Sequence, residues 1–132
     1  MSIIATAGET LNLFDYRANQ FQKINDTFPE SPSELKYNAV NWNHNNKAIA
    51  TCGSDGYLSI FNSGGNSVIC KFNIGDGPLR TLCFNNRSRY LLCGGNSKNV
   101  HLIDIKLYQT TGFLTGHNSS IFSLLCLPTG NL

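Results

Sequence analysis

Short apolar runs separated by polar turns recur along the chain. Within residues 38–62, three such runs are divided by the polar residues 43–47 and by Gly53-Ser54-Asp55-Gly56. Apolar runs of about 4–8 residues bounded by turn residues are typical of strands. Asp-Gly favours a tight type I′ turn, in which both central residues have positive φ. The pattern therefore predicts a three-stranded antiparallel meander with a hairpin at Asp55-Gly56.

This meander recurs 42 residues later without a gap, so that Val40 corresponds to Leu82 and Trp42 to Phe84. Another step of 42 leads to Leu124 and Cys126. A repeat of about 40–45 residues with four strands is typical of a β-propeller blade. The sequence predicts an all-β, partial β-propeller of about three four-stranded antiparallel blades. We place the blades at about 1–28, 36–73 and 79–114, with a fourth starting at about 117–132 and the loop 26–34 after the first.

A two-sheet sandwich is the alternative architecture. Residues 90–93 and 100–103 are nearly continuous apolar runs, whereas a strand in a sheet with one wet face alternates apolar and polar residues. Inner strands of a propeller blade are covered on both faces, which agrees with these runs. A sandwich would not require an ungapped repeat. The propeller is therefore favoured, with Trp42 expected to be buried on an inner strand.

Several motifs resemble those of the WD-repeat family. Gly116-His117 is similar to its Gly-His mark, and three strand ends are similar to its Trp-Asp mark: Phe14-Asp15, Phe61-Asn62 and Ile103-Asp104. The resemblance implies a buried network of His, Ser or Thr, Asp and Trp in each blade. Thr51 and Asp55 match two of these positions, but Phe61 has no indole N–H. In the third blade, Cys93, Ser97 and Ile103 stand at the positions of Ser or Thr, Asp and Trp. The His position is occupied by Gly75, which lies one period of 42 residues before His117.

Both networks are thus incomplete, and apolar packing is expected to hold these blades together. The repeat and the resemblance together assign structural roles to Trp42, Thr51, Asp55, Phe61, Phe84, Ile103, Asp104 and His117.

Within that family, the chain is most similar to the amino-terminal propeller of the NEDD-type γ-tubulin ring complex targeting factors. The likeness lies in residues 7–15, 42–46, 90–95 and 99–104. It implies a cytoplasmic, non-catalytic adaptor in microtubule organisation, with the γ-tubulin complex or microtubule-associated proteins as partners at the centrosome or spindle. The alternatives are a general WD-repeat scaffold in trafficking or ubiquitin ligation and, in another class, a propeller-based hydrolase.

Composition and motifs argue against several classes of partner and site. Ten Lys and Arg against eight Asp and Glu leave a net charge of +2, too small to indicate nucleic acid or an anionic membrane as a partner. Five cysteines without a CxxC pair indicate reduced, buried thiols and no zinc site. No phosphate-binding glycine motif is present, so no cofactor is expected. Glu34, Asp55 and Asp76 are too sparse for a hydrolase, and His101 is interpreted as a core or interface residue.

Three cations provide a candidate partner-binding patch. Lys47, Arg87 and Arg89 lie on equivalent turns of the second and third blades. Such a patch suits an acidic partner, for example a tubulin tail. The alternative interpretation is that these residues form turns exposed to solvent, without a binding role.

Propellers close with about four to eight blades, so this chain is expected to form an open part of a ring. Other blades would come from a longer chain, from other chains or from self-association, which light scattering would distinguish.

Overall fold

A computed structural model describes residues 3–24, 36–63 and 67–127. Its first sheet has three antiparallel strands in the order β1 (Ile3–Ala7), β2 (Leu11–Asp15) and β3 (Gln20–Ile24). The predicted loop 26–34 lies outside the described residues. No α-helix occurs in the described parts of the chain.

The second and third sheets each have four antiparallel strands. The second contains β4 (Tyr37–Trp42), β5 (Ala48–Gly53), β6 (Tyr57–Asn62) and β7 (Val68–Asn73) in sequential order. The third contains β8 (Leu79–Phe84), β9 (Tyr90–Gly95), β10 (Val100–Asp104) and β11 (Gln109–Leu114), with a 3₁₀ turn at Asn86–Ser88. We call these sheets the first, second and third blades.

The 42-residue repeat extends to irregularities in strand pairing. A β-bulge lies between Tyr37 and Ala39 in β4, and another lies between Leu79 and Thr81 in β8. A second matching pair of bulges occurs in the outer strands, at Ile69 in β7 opposite Ile60/Phe61 and at Thr111 in β11 opposite Leu102/Ile103. Because a bulge changes the local twist of its strand, repeated bulges give the two blades the same shape.

The blades pack against one another around their first strands, since β1 contacts β4 and β4 contacts β8. Leu11, Ile49 and Phe61 belong to the core shared by the first two blades. A second core joins the second and third blades and includes Leu58 and Leu91. The predicted partial propeller is therefore confirmed, and the described strands form an open arc of sheets and not a closed ring.

The fourth blade predicted to start at about residue 117 has no strand among the described residues 117–127. This segment has no hydrogen-bonded strand partner in the described residues, and a strand is defined by its pairing. It nevertheless lies against the third blade. The Ile121 N–H donates to the Gly95 carbonyl at 2.7 Å, just as the Tyr37 N–H donates to the Gly8 carbonyl at 2.7 Å.

Two local expectations are corrected. The hairpin between β5 and β6 is a three-residue loop, in which only Gly56 (φ 79°) has a positive φ and its N–H donates to the Gly53 carbonyl at 3.1 Å. Such a loop needs one left-handed residue, whereas the expected type I′ turn needs two. Trp42 is half-buried and not buried, since it packs at the margin of the core around Phe61.

Candidate functional site

The turn at residues 43–47 of the second blade and the turn at residues 85–89 of the third blade lie side by side. The backbone N–H of His44 donates a hydrogen bond to Ser88 Oγ at 2.8 Å. The Ser88 side chain is buried, whereas His44 is exposed. The hydrogen bond therefore fixes the position of one turn relative to the other, and we call them the paired turns.

Each of the paired turns is held by an asparagine. Asn43 Oδ1 accepts from the N–H groups of Lys47 (2.9 Å) and Ala48 (3.1 Å). In the same way, Asn85 Oδ1 accepts from the Tyr90 N–H at 2.8 Å. Asparagine side chains often bond to backbone groups within a turn, which makes these residues suitable here.

The paired turns carry the three predicted cations in different environments. Lys47 and Arg87 are exposed, and Arg87 has a left-handed backbone with φ 64°. Arg89 Nη2 lies 3.3 Å from Asp104 Oδ2, and the guanidinium lies 5.5 Å from the centre of the Tyr90 ring. Arg89 is therefore paired, so that Lys47 and Arg87 supply most of the exposed positive charge at the turns.

Asp104 is buried at the end of β10, where several donors stabilise its carboxylate. Burial alone would raise its pKa. The backbone N–H groups of Leu107 and Lys106 and the Arg89 guanidinium outweigh this effect and hold the pKa below its ordinary value. Asp104 Oδ1 accepts from the N–H of Lys106 at 2.8 Å and of Leu107 at 3.2 Å. Its role is thus to close a turn and to hold Arg89.

The residues with predicted structural roles occupy different depths. Phe61, Ile103 and Thr51 are fully buried, whereas Phe84 is half-buried. Asp55 is half-buried, and its Oδ1 accepts from the Tyr57 N–H at 3.1 Å within its own hairpin.

His117 is exposed, so it does not form the buried polar network that its resemblance implied. Because no second strand of a fourth blade pairs with residues 115–127 in the described chain, that side of the segment remains open.

A polar contact made by a buried histidine of the third blade was not anticipated from the sequence. His101 Nε2 lies 3.0 Å from Asp76 Oδ2, although the side chain of His101 is only 3% exposed. Asp76 lies in the connector between β7 and β8. Apolar packing is therefore not the only interaction that holds the third blade. The polar residue His101 in an otherwise apolar strand was the available signal, but its partner is 25 residues away.

The surroundings of His101 do not form a catalytic arrangement. Cys93 is the residue paired with His101 across β9 and β10, and Asp76 contacts Nε2 of the imidazole. However, His101 Nδ1 has no hydrogen-bond partner in the described structure, so it forms no hydrogen bond with the Cys93 thiol. Burial also raises the pKa of Cys93 far above its ordinary value. Cys93 is thus a protonated core thiol, unlike an activated nucleophile.

Other candidate sites were sought in the described ranges. An open groove of 470 Å³ on the first blade has Asp15 as its one ionisable lining residue, among Ile3, Leu13, Gln20, Phe21, Gln22 and Ser63. No group of three His, Cys, Asp or Glu side chains with the arrangement of a metal site occurs in residues 3–24, 36–63 and 67–127. The same residues contain no helix of the length and apolar character needed to span a membrane.

Comparison with known proteins agrees with this geometry. The family model described as "WD domain, G-beta repeat" matches residues 26–62, which include most of the second blade. A solved chain from the structure entitled "Crystal Structure of Mitotic Checkpoint Complex" superposes with a TM-score of 0.77 at 17% sequence identity. The match covers 89% of this chain and 35% of that chain, so the present chain spans about a third of its neighbour's length.

The fold is that of a partial β-propeller, in which residues 26–62 match the WD-repeat model. WD40 repeats indicate a protein–protein interaction scaffold, and this fold is generally non-catalytic. Because 784 solved chains match, the fold does not by itself select one biological role.

Proposed function

We propose that this chain is a non-catalytic interaction scaffold whose paired turns bind an acidic segment of a protein partner. The observation that carries this proposal is the hydrogen bond from the His44 N–H to Ser88 Oγ, which holds two cationic turns of adjacent blades together. Without such a link, Lys47 and Arg87 would be independent surface cations. Exposed charges at the rim of an interface accelerate association and favour partners of opposite charge.

The partner we propose is an acidic tail in the microtubule system, such as that of tubulin. This chain would then act as a cytoplasmic adaptor in microtubule organisation that recruits the γ-tubulin complex or microtubule-associated proteins to the centrosome or spindle. The support for this role is the resemblance of residues 42–46, 90–95 and 99–104 to targeting factors of that complex, together with the cations of the paired turns.

A charge-reversal experiment tests the paired turns. The double variant Lys47→Glu, Arg87→Glu should bind a fluorescent peptide with the sequence of an acidic tubulin tail roughly tenfold more weakly than the unmodified chain. The difference should shrink as salt is added, because exposed charges are screened. Lys98→Glu is the matched control, because Lys98 is exposed on the β9–β10 turn, away from the paired turns. Equal weakening by both variants would contradict a site at the paired turns.

A pull-down from cell extract then tests the partner. The unmodified chain and Lys98→Glu should retain the γ-tubulin complex, and the double variant should lose it. Recovery of trafficking or ubiquitin-ligase components that the double variant loses would replace the microtubule role but keep the scaffold. Hydrolysis by the purified chain that survives the double substitution would instead favour the propeller-based hydrolase.

A further inference from the structure

Two cysteines that are distant in the sequence have adjacent side chains on the third blade. Cys83 lies on β8, and Cys126 lies in the segment 115–127 that packs against this blade. Their Sγ atoms are 2.9 Å apart, and both residues are free thiols. This is closer than the sum of the van der Waals radii of two sulfur atoms, and an approach by about 0.9 Å would bring them to the length of a disulfide bond.

Contacts of the residues that precede Cys126 hold the segment in this position. Before it in the sequence, the Leu124 N–H donates to Thr81 Oγ1 at 3.1 Å and the Ile121 N–H donates to the Gly95 carbonyl at 2.7 Å. Ile121 is buried against Gly94, where an added Cβ would lie 3.2 Å from the Ile121 side chain. The thiol pair therefore results from a specific docking of the segment.

The two thiols differ in their environments. Cys83 is buried, whereas Cys126 is half-buried and accessible to a small solute. Burial, followed by the hydrogen bond with Cys126, raises the pKa of the Cys83 thiol to about 12. Cys83 consequently remains a protonated thiol near neutral pH, and the more accessible sulfur of Cys126 is the one that meets an oxidant first.

We propose that Cys83 and Cys126 form an oxidation site at which a hydroperoxide converts the two thiols to a disulfide. In the first step the Cys126 thiolate attacks a peroxide oxygen, the O–O bond breaks, and hydroxide (or an alkoxide) leaves, so that Cys126 becomes a sulfenic acid. In the second step the Cys83 sulfur attacks the Cys126 sulfur. The S–S bond forms, the S–O bond breaks, and the Cys83 proton leaves with the hydroxyl group as water. The protein loses two electrons and the peroxide gains them.

The other cysteines in the described chain lack this arrangement. Cys52 and Cys93 are buried, and burial raises the pKa of Cys52 to about 12. Cys70 is half-buried like Cys126, but no sulfur atom of the described residues lies within hydrogen-bond distance of it. Cys70 therefore provides an internal comparison, because it is similarly accessible without a resolving thiol.

The disulfide would close a covalent loop of residues 83–126, which contains the end of β8 and all of β9, β10 and β11. It would anchor the segment 115–127 to the third blade and restrict the unfolded chain. Thiol reductants would reverse it, so in a reducing compartment the bond would form only under oxidising conditions. The segment that follows the third blade would then be attached to it more firmly in the oxidised chain.

Peroxide treatment of the purified chain, followed by alkylation of the remaining thiols and mass spectrometry, tests this site. The number of alkylated thiols should fall from five to three. The non-reduced digest should contain the Cys83 and Cys126 peptides joined, with a mass lower by two hydrogen atoms. The oxidised chain should unfold at a higher urea concentration than the reduced chain, and dithiothreitol should reverse both changes.

Matched variants decide the outcome. Cys70→Ser should preserve the disulfide and the shift in urea midpoint, whereas Cys126→Ser and Cys126→Ala should abolish both. Far-UV circular dichroism of each variant verifies that it is folded. A disulfide between other cysteines, a disulfide between two chains, or oxidation of Cys70 before any loss of the Cys83 and Cys126 thiols would overturn the proposal.

Discussion

Asp76 Oδ2 lies 3.0 Å from Nε2 of His101, and this contact links the connector between the second and third blades to β10. His101 is almost fully buried, and its ring meets that of Phe113 edge-on with the centroids 5.1 Å apart. The imidazole therefore has an aromatic neighbour and one polar partner, which lies at the surface. The pair replaces part of the polar network that Cys93 and Ile103 cannot supply.

Removal of the Asp76 carboxylate should destabilise the third blade. Asp76→Ala leaves both imidazole nitrogens of a buried residue without a partner, and we expect a loss of about 1–2 kcal/mol in the free energy of unfolding. The value is at the lower end for a buried group, because the Asp76 side chain is 39% exposed. Urea denaturation of the purified chain measures it. Asp76→Asn keeps an amide oxygen at this position and should lose less, so equal losses would contradict the role of this hydrogen bond.

The left-handed residue of the β5–β6 hairpin should tolerate no branched side chain. Gly56 has φ 79°, and a Cβ built on it would lie 2.9 Å from the Gly77 carbonyl oxygen. Gly56→Val should therefore cost at least about 2 kcal/mol, since left-handed backbone strain adds to this collision. The control is Gly112→Val, because a Cβ at Gly112 meets no atom within 4 Å. The melting temperature should decrease clearly for Gly56→Val and hardly at all for Gly112→Val. An unchanged melting temperature for Gly56→Val would refute this geometry.

Two aromatic residues of the same core should differ in their contribution to stability. Phe61 has 0% exposure, whereas Trp42 is half-buried at the margin. Phe61→Ala should cost about 3–5 kcal/mol, as expected for a fully buried aromatic side chain. Trp42→Ala should cost roughly 1–3 kcal/mol, because less of its apolar surface is removed from water. Chemical denaturation would reveal which loss is larger, and a larger loss for Trp42 would contradict its position at the margin of the core.

Asp104 should make the stability of the chain depend on pH in the acidic range. Its pKa is lowered below the ordinary value of 3.8, because backbone donors and Arg89 outweigh burial. The stabilisation is thus present above that value and is lost as the pH falls through the lowered pKa. Asp104→Asn should be less stable than the unmodified chain at neutral pH, and the difference between their urea midpoints should narrow on acidification.

Arg89→Gln provides the matched variant for this pH dependence. It removes the guanidinium but keeps the N–H donors of Lys106 and Leu107. The urea midpoint of Arg89→Gln should therefore differ less from that of the unmodified chain than the midpoint of Asp104→Asn does. A difference in midpoint for Asp104→Asn that widens toward acid would show that the carboxyl is destabilising when ionised.

The sequence by itself determined the strands and their repeat. Trp42 and Phe84 mark equivalent positions, and the strands that end there, β4 and β8, have the same length and the same bulge position. The strands and their repeat were predictable, because alternation and turn residues act over a few neighbouring positions, whereas the bulges were not predicted. The positive φ of Gly56 was predictable for the same reason, although the type of the turn was not.

The candidate site was predictable only in part. The 42-residue repeat placed Lys47 and Arg89 at equivalent turns, and their structure agrees: the Ser63 N–H donates to the Lys47 carbonyl as the Ile105 N–H donates to that of Arg89. The repeat did not predict that Arg89 is held by Asp104. An ion pair depends on the directions of two side chains, which are decided by packing across β9 and β10.

Only the tertiary structure decided the contacts between distant parts of the chain. His44 and Ser88 are 44 residues apart, and Cys83 and Cys126 are 43 apart, so no local pattern joins them. The burial of Trp42 depends on how the neighbouring blade covers it, and residues 120–127 form no strand without a second strand to pair with. Local chemistry specifies which backbone conformations are favourable. The burial of side chains, the pairing of strands and the approach of the Cys83 and Cys126 thiols arise only when distant parts of the chain are brought together.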